Sequence, residues 1–161
     1  MRSTFFVTLA SLALGLSATA YAAGGGGGGA DSTPAKVVDA NLTRAKAMIQ
    51  AKDYAGSLPL LQQVVAKDPK NADAYNLMGY ATRKSGDPNG SLQYYNQALS
   101  IDPKHLGAHE YVGEAYLMLD RPKEADQHLA RLDSLCVFGC AEYKMLKAAI
   151  ADYKAGKKPT N

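Results

Sequence analysis

The sequence repeats a set of helix-ending and helix-packing residues at an interval of 34 positions. The recurring pairs are Asp68 and Asp102, Pro69 and Pro103, Gly79 and Gly113, and Pro88 and Pro122. A period of this length is typical of stacked helix pairs, because one pair cannot bury its apolar face without a neighbour. The repeat therefore predicts an all-α solenoid, which acts by presenting surface to a partner.

The middle copy, residues 72–105, indicates how each unit folds. Four residues at helical spacing form one face of its first helix: Tyr75, Met78, Gly79 and Thr82. We expect Gly79 to lie where two helices cross too closely for a side chain, which justifies the roughly 1 kcal/mol that glycine costs inside a helix. The run Ser85-Gly86-Asp87-Pro88 then ends one helix and begins the next, with Gly86 at the C-cap and Asp87 at the N-cap.

These residues resemble the tetratricopeptide repeat. The middle copy matches the family pattern at Tyr75, Met78, Gly79, Ser91, Tyr95, Ala98 and Pro103. The first copy matches less closely, at Ala45, Met48, Ser57, Leu61, Val64 and Pro69, and the third matches at Val112, Gly113, Tyr116, Ala125 and Leu129. The resemblance implies a right-handed superhelical solenoid of three helix hairpins, at about residues 38–71, 72–105 and 106–135.

A further helix is expected after the third hairpin, in residues 141–155. Its apolar face consists of Tyr143, Leu146, Ile150 and Tyr153. We interpret it as a capping helix that covers the otherwise unpartnered side of the last hairpin. Residues 156–161 follow as a short tail.

Cys136 and Cys140 are the only cysteines, and they lie in the link before the cap. In an oxidising compartment we expect them to form a disulfide that fixes the angle at which the cap docks. The alternatives are pairing between molecules and a metal or thiol-redox site, with His128 or Met145 as a conceivable third ligand.

The N-terminal residues have the composition of an export signal. Residues 1–22 combine Arg2, an apolar stretch and the cleavage pattern Ala20-Tyr21-Ala22, which predicts a secreted or periplasmic protein of a Gram-negative bacterium. An uncleaved N-terminal anchor is the alternative. Residues 23–34 contain six consecutive glycines and are expected to be a disordered tether, because glycine has the largest backbone entropy cost on ordering. A phosphate-binding P-loop is not expected, because the glycines lack a preceding strand and a following Lys-Ser or Lys-Thr. Residues 35–155 would form the repeat domain.

The family resemblance implies that the first helix of each hairpin lines a concave groove. The groove positions are Leu42, Lys46, Ile49, Gln50, Asp73, Asn76, Tyr80, Arg83, Lys84, Gly107, Glu110, Glu114, Leu117 and Met118. Among these we expect partner binding by Lys46, Asp73, Asn76, Tyr80, Arg83, Glu110, Glu114 and Leu117, with Tyr80 and Arg83 foremost. A partner on another face is the alternative.

Glu110 and Glu114 are one helical turn apart, and paired carboxylates raise the question of acid-base catalysis or a metal site. We interpret them instead as an exposed pair that selects basic or hydrogen-bond-donating ligands. The lysine and asparagine with which some family members clamp a C-terminal carboxylate are not found at the corresponding positions. His105 and His109 have a spacing that can bind zinc, but we expect a capping role for the first and a core role for the second.

The composition indicates protein or peptide partners. The formal net charge of +3 comes from scattered basic residues, which is not typical of nucleic-acid binding. The residues form no catalytic or cofactor motif, so we predict a non-enzymatic protein-interaction module, an adaptor or assembly factor, without a cofactor. The alternatives are a metal or thiol-redox protein that uses Cys136 and Cys140, and a structural subunit that self-associates.

Overall fold

The computed structural model describes residues 39–159, and within them the chain forms seven α-helices and no strand. In chain order the helices are α1 (Ala40–Gln50), α2 (Tyr54–Lys67), α3 (Ala72–Lys84), α4 (Pro88–Ile101), α5 (Leu106–Met118), α6 (Pro122–Leu135) and α7 (Ala141–Lys154). The first six pair as three hairpins and α7 follows them, which confirms the predicted solenoid fold. The predicted signal sequence (1–22) and tether (23–34) lie outside the described residues, as do the last two residues of the tail.

The three hairpin turns keep the 34-residue period in their backbone. The residues at the corresponding turn position, Lys52, Gly86 and Asp120, have positive φ angles of 62°, 99° and 58°. Only glycine adopts this conformation without steric cost, so the middle turn is the least strained of the three. Asp120 has a second role, because its carboxylate accepts hydrogen bonds from Tyr153 at 3.0 Å and from Lys158. The third turn therefore anchors the C-terminal residues.

The second helices of the first two hairpins begin at capping aspartates. The Asp53 side chain accepts a hydrogen bond from the backbone N–H of Gly56 at 2.9 Å, and Asp87 accepts one from Gly90 at 2.7 Å. Each bond satisfies a backbone donor that the first helical turn leaves free. The predicted N-cap at Asp87 is thereby confirmed.

The close helix crossing predicted at Gly79 is confirmed. A Cβ atom built on Gly79 would lie 2.5 Å from the ring of Tyr95, which is fully buried on α4 of the same hairpin. At Gly113 the structure differs from the simple repetition that the sequence suggests. There a Cβ atom would lie 2.6 Å from the Leu146 side chain, which belongs to α7. The equivalent of Tyr95 in the third hairpin is the smaller Leu129, and the cap fills the space over Gly113 instead.

The capping helix α7 completes the core of the third hairpin. Leu146 and Ile150 pack with the buried Leu117 of α5 and with Ala125 and Leu132 of α6. The link before α7 is closed by a disulfide between Cys136 and Cys140, whose Cα atoms are 5.5 Å apart. The expected intramolecular pairing of the cysteines is therefore present in the structure.

The disulfide-closed link carries two exposed apolar side chains. Val137 is 84% exposed and Phe138 is 97% exposed.

Across residues 39–159, every helix is too short or too polar to cross a membrane.

Candidate functional site

A pocket of about 360 Å³ opens between α3, α5 and α7. Its lining residues are Tyr80, Arg83, Lys84, Glu110, Tyr111, Glu114, Met145 and Pro159. The first six come from the first helices of the second and third hairpins, and all of them except Tyr111 occupy positions that the family resemblance assigns to the groove. Met145 and Pro159 were not predicted there, since they come from the cap and the tail.

Arg83 lies at the base of this pocket with only 3% of its side chain exposed. Its Nη2 atom pairs with Oε2 of Glu114 at 2.7 Å, and its Nε atom donates to the Tyr95 hydroxyl at 3.4 Å. The guanidinium also lies 5.5 Å and 5.8 Å from the ring centroids of Tyr80 and Tyr111. A buried cation needs such partners, because its desolvation is otherwise costly. Arg83 therefore joins the second hairpin to the third and is already engaged within the protein.

Tyrosine rings form one wall of the pocket. The Tyr80 and Tyr111 centroids are 4.9 Å apart, and Tyr54 of α2 meets Tyr80 edge-on at 6.1 Å. Burial raises the pKa of Tyr111 to about 12, so its hydroxyl stays neutral at physiological pH. Tyr111 is not predictable as a pocket residue from the sequence, because it does not occupy a groove position of the repeat pattern.

Glu110 is the pocket residue whose environment differs most from the expectation. It is only 3% exposed, and no residue in the range 39–159 gives it a hydrogen bond or an ion pair. Burial is the main cause that raises its pKa to about 8, and the nearby charges of Glu114 and Glu142 contribute to that shift. The interpretation of Glu110 and Glu114 as an exposed pair is therefore wrong for Glu110, whose side chain is nearly buried where it lines the pocket. Glu114 is partly exposed and is paired with Arg83.

Other predicted groove residues lie elsewhere. Leu117 is fully buried in the core beneath α7, so it is not the exposed apolar anchor that the sequence suggested. Asn76 is 6% exposed, and its side-chain oxygen has no hydrogen-bond partner within the described part of the chain. Lys46 and Asp73 are exposed but do not line the pocket. Asp73 instead contacts the His105 ring at 3.1 Å.

The histidines have the structural roles that the sequence predicts. The Nδ1 atom of His105 caps α5 by accepting from the Ala108 N–H at 3.1 Å. His109 is buried, and its Nε2 atom lies 3.1 Å from the carbonyl oxygen of Pro103 while its Nδ1 atom lies 2.9 Å from that of His128. Because a carbonyl only accepts, His109 donates through Nε2 and receives a hydrogen bond from His128.

His128 is thus occupied by His109 and stacks on Tyr116 with ring centroids 5.7 Å apart. Burial lowers its pKa to about 4. Between residues 39 and 159, no three histidine, cysteine or acidic side chains are grouped so that they could hold a metal ion.

Comparison with known families gives the identity of the repeat. Two family models described as tetratricopeptide repeat match the chain, one over residues 42–105 and the other over residues 83–150. The chain belongs to the tetratricopeptide repeat family. No curated protein matches the sequence closely enough to indicate a relationship.

Solved structures share the tetratricopeptide repeat fold with this chain. The Yersinia enterocolitica type III secretion translocator chaperone SycD has a TM-score of 0.63 and 16% identity, over 72% of this chain and 87% of SycD. A chain of the CopN-Scc3 complex has a TM-score of 0.58 and 20% identity, over 70% of this chain and 65% of that one. MamA AMB-1 has a TM-score of 0.55 and 21% identity, over 65% of this chain and 57% of MamA. The chain thus spans less than two thirds of the last two structures, and at these identities the likeness shows the fold.

Membership in the tetratricopeptide repeat family indicates a protein-protein interaction module. Proteins of this family are generally non-enzymatic scaffolds. The pocket between α3, α5 and α7 is the candidate binding site of this module.

Proposed function

We propose that this protein is an exported adaptor or assembly factor that holds a short segment of a partner protein in the pocket between α3, α5 and α7. The observation that carries the proposal is the pocket itself, which opens on the first helices of adjacent repeats and combines tyrosine rings with charged groups. Aromatic anchors beside a few oriented polar groups are typical of the residues that supply most binding energy. Its volume of about 360 Å³ suits side chains of one short partner segment.

Two solved structures that share the fold support the proposed class of function. One is a translocator chaperone of type III secretion, and the other is part of a complex between CopN and Scc3. A role in holding another protein is therefore compatible with a repeat array of this fold.

The proposed location is the periplasm of a Gram-negative bacterium. It is supported by the signal-like residues 1–22 and by the Cys136 to Cys140 disulfide, which persists in an oxidising compartment. Mass spectrometry of protein from a periplasmic fraction would give a chain that begins at Ala23 and gains two hydrogens on reduction. A full-length chain, or one with free thiols, would contradict the location.

Photochemical crosslinking tests the proposed binding site. A diazirine-bearing residue in place of Met145, which is 47% exposed at the pocket, should form a defined adduct with a partner protein in cells. The matched control places the same residue at Phe138, which is exposed but does not line the pocket. Adducts from position 138 and none from position 145 would contradict the assignment of the site.

A further inference from the structure

We infer that the pocket selects a partner segment that carries a lysine or arginine side chain, and that Glu110 receives its cationic end. The inference rests on the proposed function, since it names the chemistry of the segment that the pocket would hold. It draws on three features of the site: an unpartnered buried carboxyl, the local balance of charge, and an apolar mouth.

The unpartnered carboxyl is that of Glu110. Glu110 lines the pocket, and only 3% of its surface is exposed. No residue between 39 and 159 donates a hydrogen bond to its carboxyl group or forms an ion pair with it. Its oxygens are not among the fully enclosed atoms that lack a partner, so they reach the pocket, where a donor from the ligand can pair with them. A lysine or arginine side chain supplies both the donors and the charge.

The charges around Glu110 favour a cation over an anion. On α5, Glu114 is neutralised by Arg83 of α3 at 2.7 Å, so this ion pair leaves no free charge for the ligand. On α7, the carboxylate of Glu142 acts on Glu110 with the same sign of charge. Lys84 of α3 lines the pocket but forms no ion pair with any residue between 39 and 159. The charges that act on Glu110 are therefore two carboxylates and one guanidinium, and Lys84 is not among them, so a cation is favoured at this carboxyl.

The mouth of the pocket suits the aliphatic part of a long basic side chain. Met145 and Pro159 contribute apolar surface there, and Tyr80 adds the face of its ring. Lysine and arginine bury their methylene stems along such surfaces while the charged end reaches a polar partner. The pocket therefore offers a separate contact to each part of the side chain.

The predicted interaction depends on pH, because a cation binds the ionised carboxylate. The groups that face Glu110 are Tyr80, Arg83 and Lys84 of α3, Tyr111 and Glu114 of α5, and Glu142 of α7. Of these groups, Tyr111 has a pKa that burial raises to about 12, so it stays neutral in the interval between pH 6.5 and 8. The pKa of Glu110, about 8, lies at the top of that interval, so affinity for a basic peptide should rise about tenfold between pH 6.5 and 8.

An array of random octapeptides, each acetylated at its N-terminus and amidated at its C-terminus, tests the inference with the full mature protein. Blocked ends leave lysine and arginine as the only permanent cations. We expect the bound peptides to be enriched in one basic position, and replacement of that residue by norleucine to weaken binding about tenfold. Glu110→Gln should cause a similar loss and abolish the difference between the lysine and norleucine peptides.

Glu124→Gln is the matched control, because it also removes one carboxylate but lies on α6 outside the pocket, beside an exposed Arg121. It should leave the preference unchanged. Bound peptides without a basic preference, or a preference that Glu110→Gln does not alter, would overturn the inference while the proposed function stands. If none of the peptides binds, both are contradicted. Glu110→Gln preserves the shape of the side chain, and an unchanged circular dichroism spectrum checks that the variant folds.

Discussion

The second and third hairpins place a glycine at the same position of the repeat but cover it from different parts of the chain. Gly79 is covered by Tyr95, which belongs to the same hairpin, whereas Gly113 is covered by Leu146 from α7. The second hairpin is therefore complete in itself. The third depends on a helix that follows it, and the same helix brings Met145 to the pocket. The same helix, α7, therefore both ends the repeat array and forms part of the candidate site.

The largest expected effect comes from removing the side chain that α7 contributes. Leu146 is fully buried, so Leu146→Ala should lower the free energy of unfolding by about 3 kcal/mol, since the cavity cannot close completely. Urea denaturation measures the loss. Leu129→Ala is the control, because Leu129 occupies the register of Tyr95 but is only partly buried, and it should cost less than about 2 kcal/mol. Equal losses would contradict the larger contribution of α7 to the core of the third hairpin.

The two glycines should differ when each is replaced by alanine. Gly79→Ala would press a methyl group on the buried Tyr95 ring and should cost about 2 kcal/mol, whereas Gly113→Ala meets the movable end of Leu146 and should cost less than about 1 kcal/mol. In a Leu146→Ala background the cost at Gly113 should disappear, while that at Gly79 should remain. Thermal or urea unfolding of the two double variants measures both costs. If Leu146→Ala changed the cost of Gly79→Ala as much as that of Gly113→Ala, the two glycines would not be covered by different parts of the chain.

Much of this fold is predictable from the sequence because its determinants are local. The 34-residue period, the Asp87 cap and the glycine crossing at Gly79 depend on residues within one hairpin. The structure confirms each of them. The disulfide is predictable as well, since four positions separate its cysteines.

The candidate site was harder to predict because it depends on contacts between hairpins and with the cap. Leu117 occupies a groove position of the repeat, but α7 covers it. Glu110 is nearly buried at a position where the pattern predicts exposure, and Tyr111 enters the pocket from a position to which the repeat pattern gives no binding role. The pattern specifies the exposed face of a repeat with neighbours of the same kind, whereas the third repeat has a different neighbour.

Reduction of the disulfide should affect the third hairpin more than the second. Loss of the Cys136 to Cys140 bond is expected to cost about 2 kcal/mol by the loop-entropy estimate for so short a link. Hydrogen exchange of the Cys136→Ser/Cys140→Ser variant should show faster exchange in α7 and unchanged exchange in α3 and α4. Uniformly faster exchange in all helices would mean that the hairpins do not differ in this respect.

A smaller effect is expected from the charge of Glu110. Because the pKa of this carboxyl is raised to about 8 in the folded protein, the folded state binds the proton more tightly than the unfolded state. Stability associated with Glu110 is therefore greatest at acid pH and is lost as the pH rises toward 8. Glu110→Gln retains a neutral group, so it should be more stable than the parent protein by about 1 kcal/mol or more at pH 8, and the difference should shrink at pH 5. A constant difference, measured by thermal unfolding, would contradict the burial of an unpartnered carboxyl.

The most direct test of the proposed role is the affinity of the protein for the partner captured at position 145. Isothermal titration calorimetry would compare the parent protein with Tyr80→Ala, which removes a wall of the pocket, and with Phe138→Ser, which removes an exposed ring from the disulfide-closed link. We predict that Tyr80→Ala raises the Kd about tenfold or more and that Phe138→Ser changes it less than about twofold. The reverse order would place the binding site on the link and contradict the assignment of the pocket.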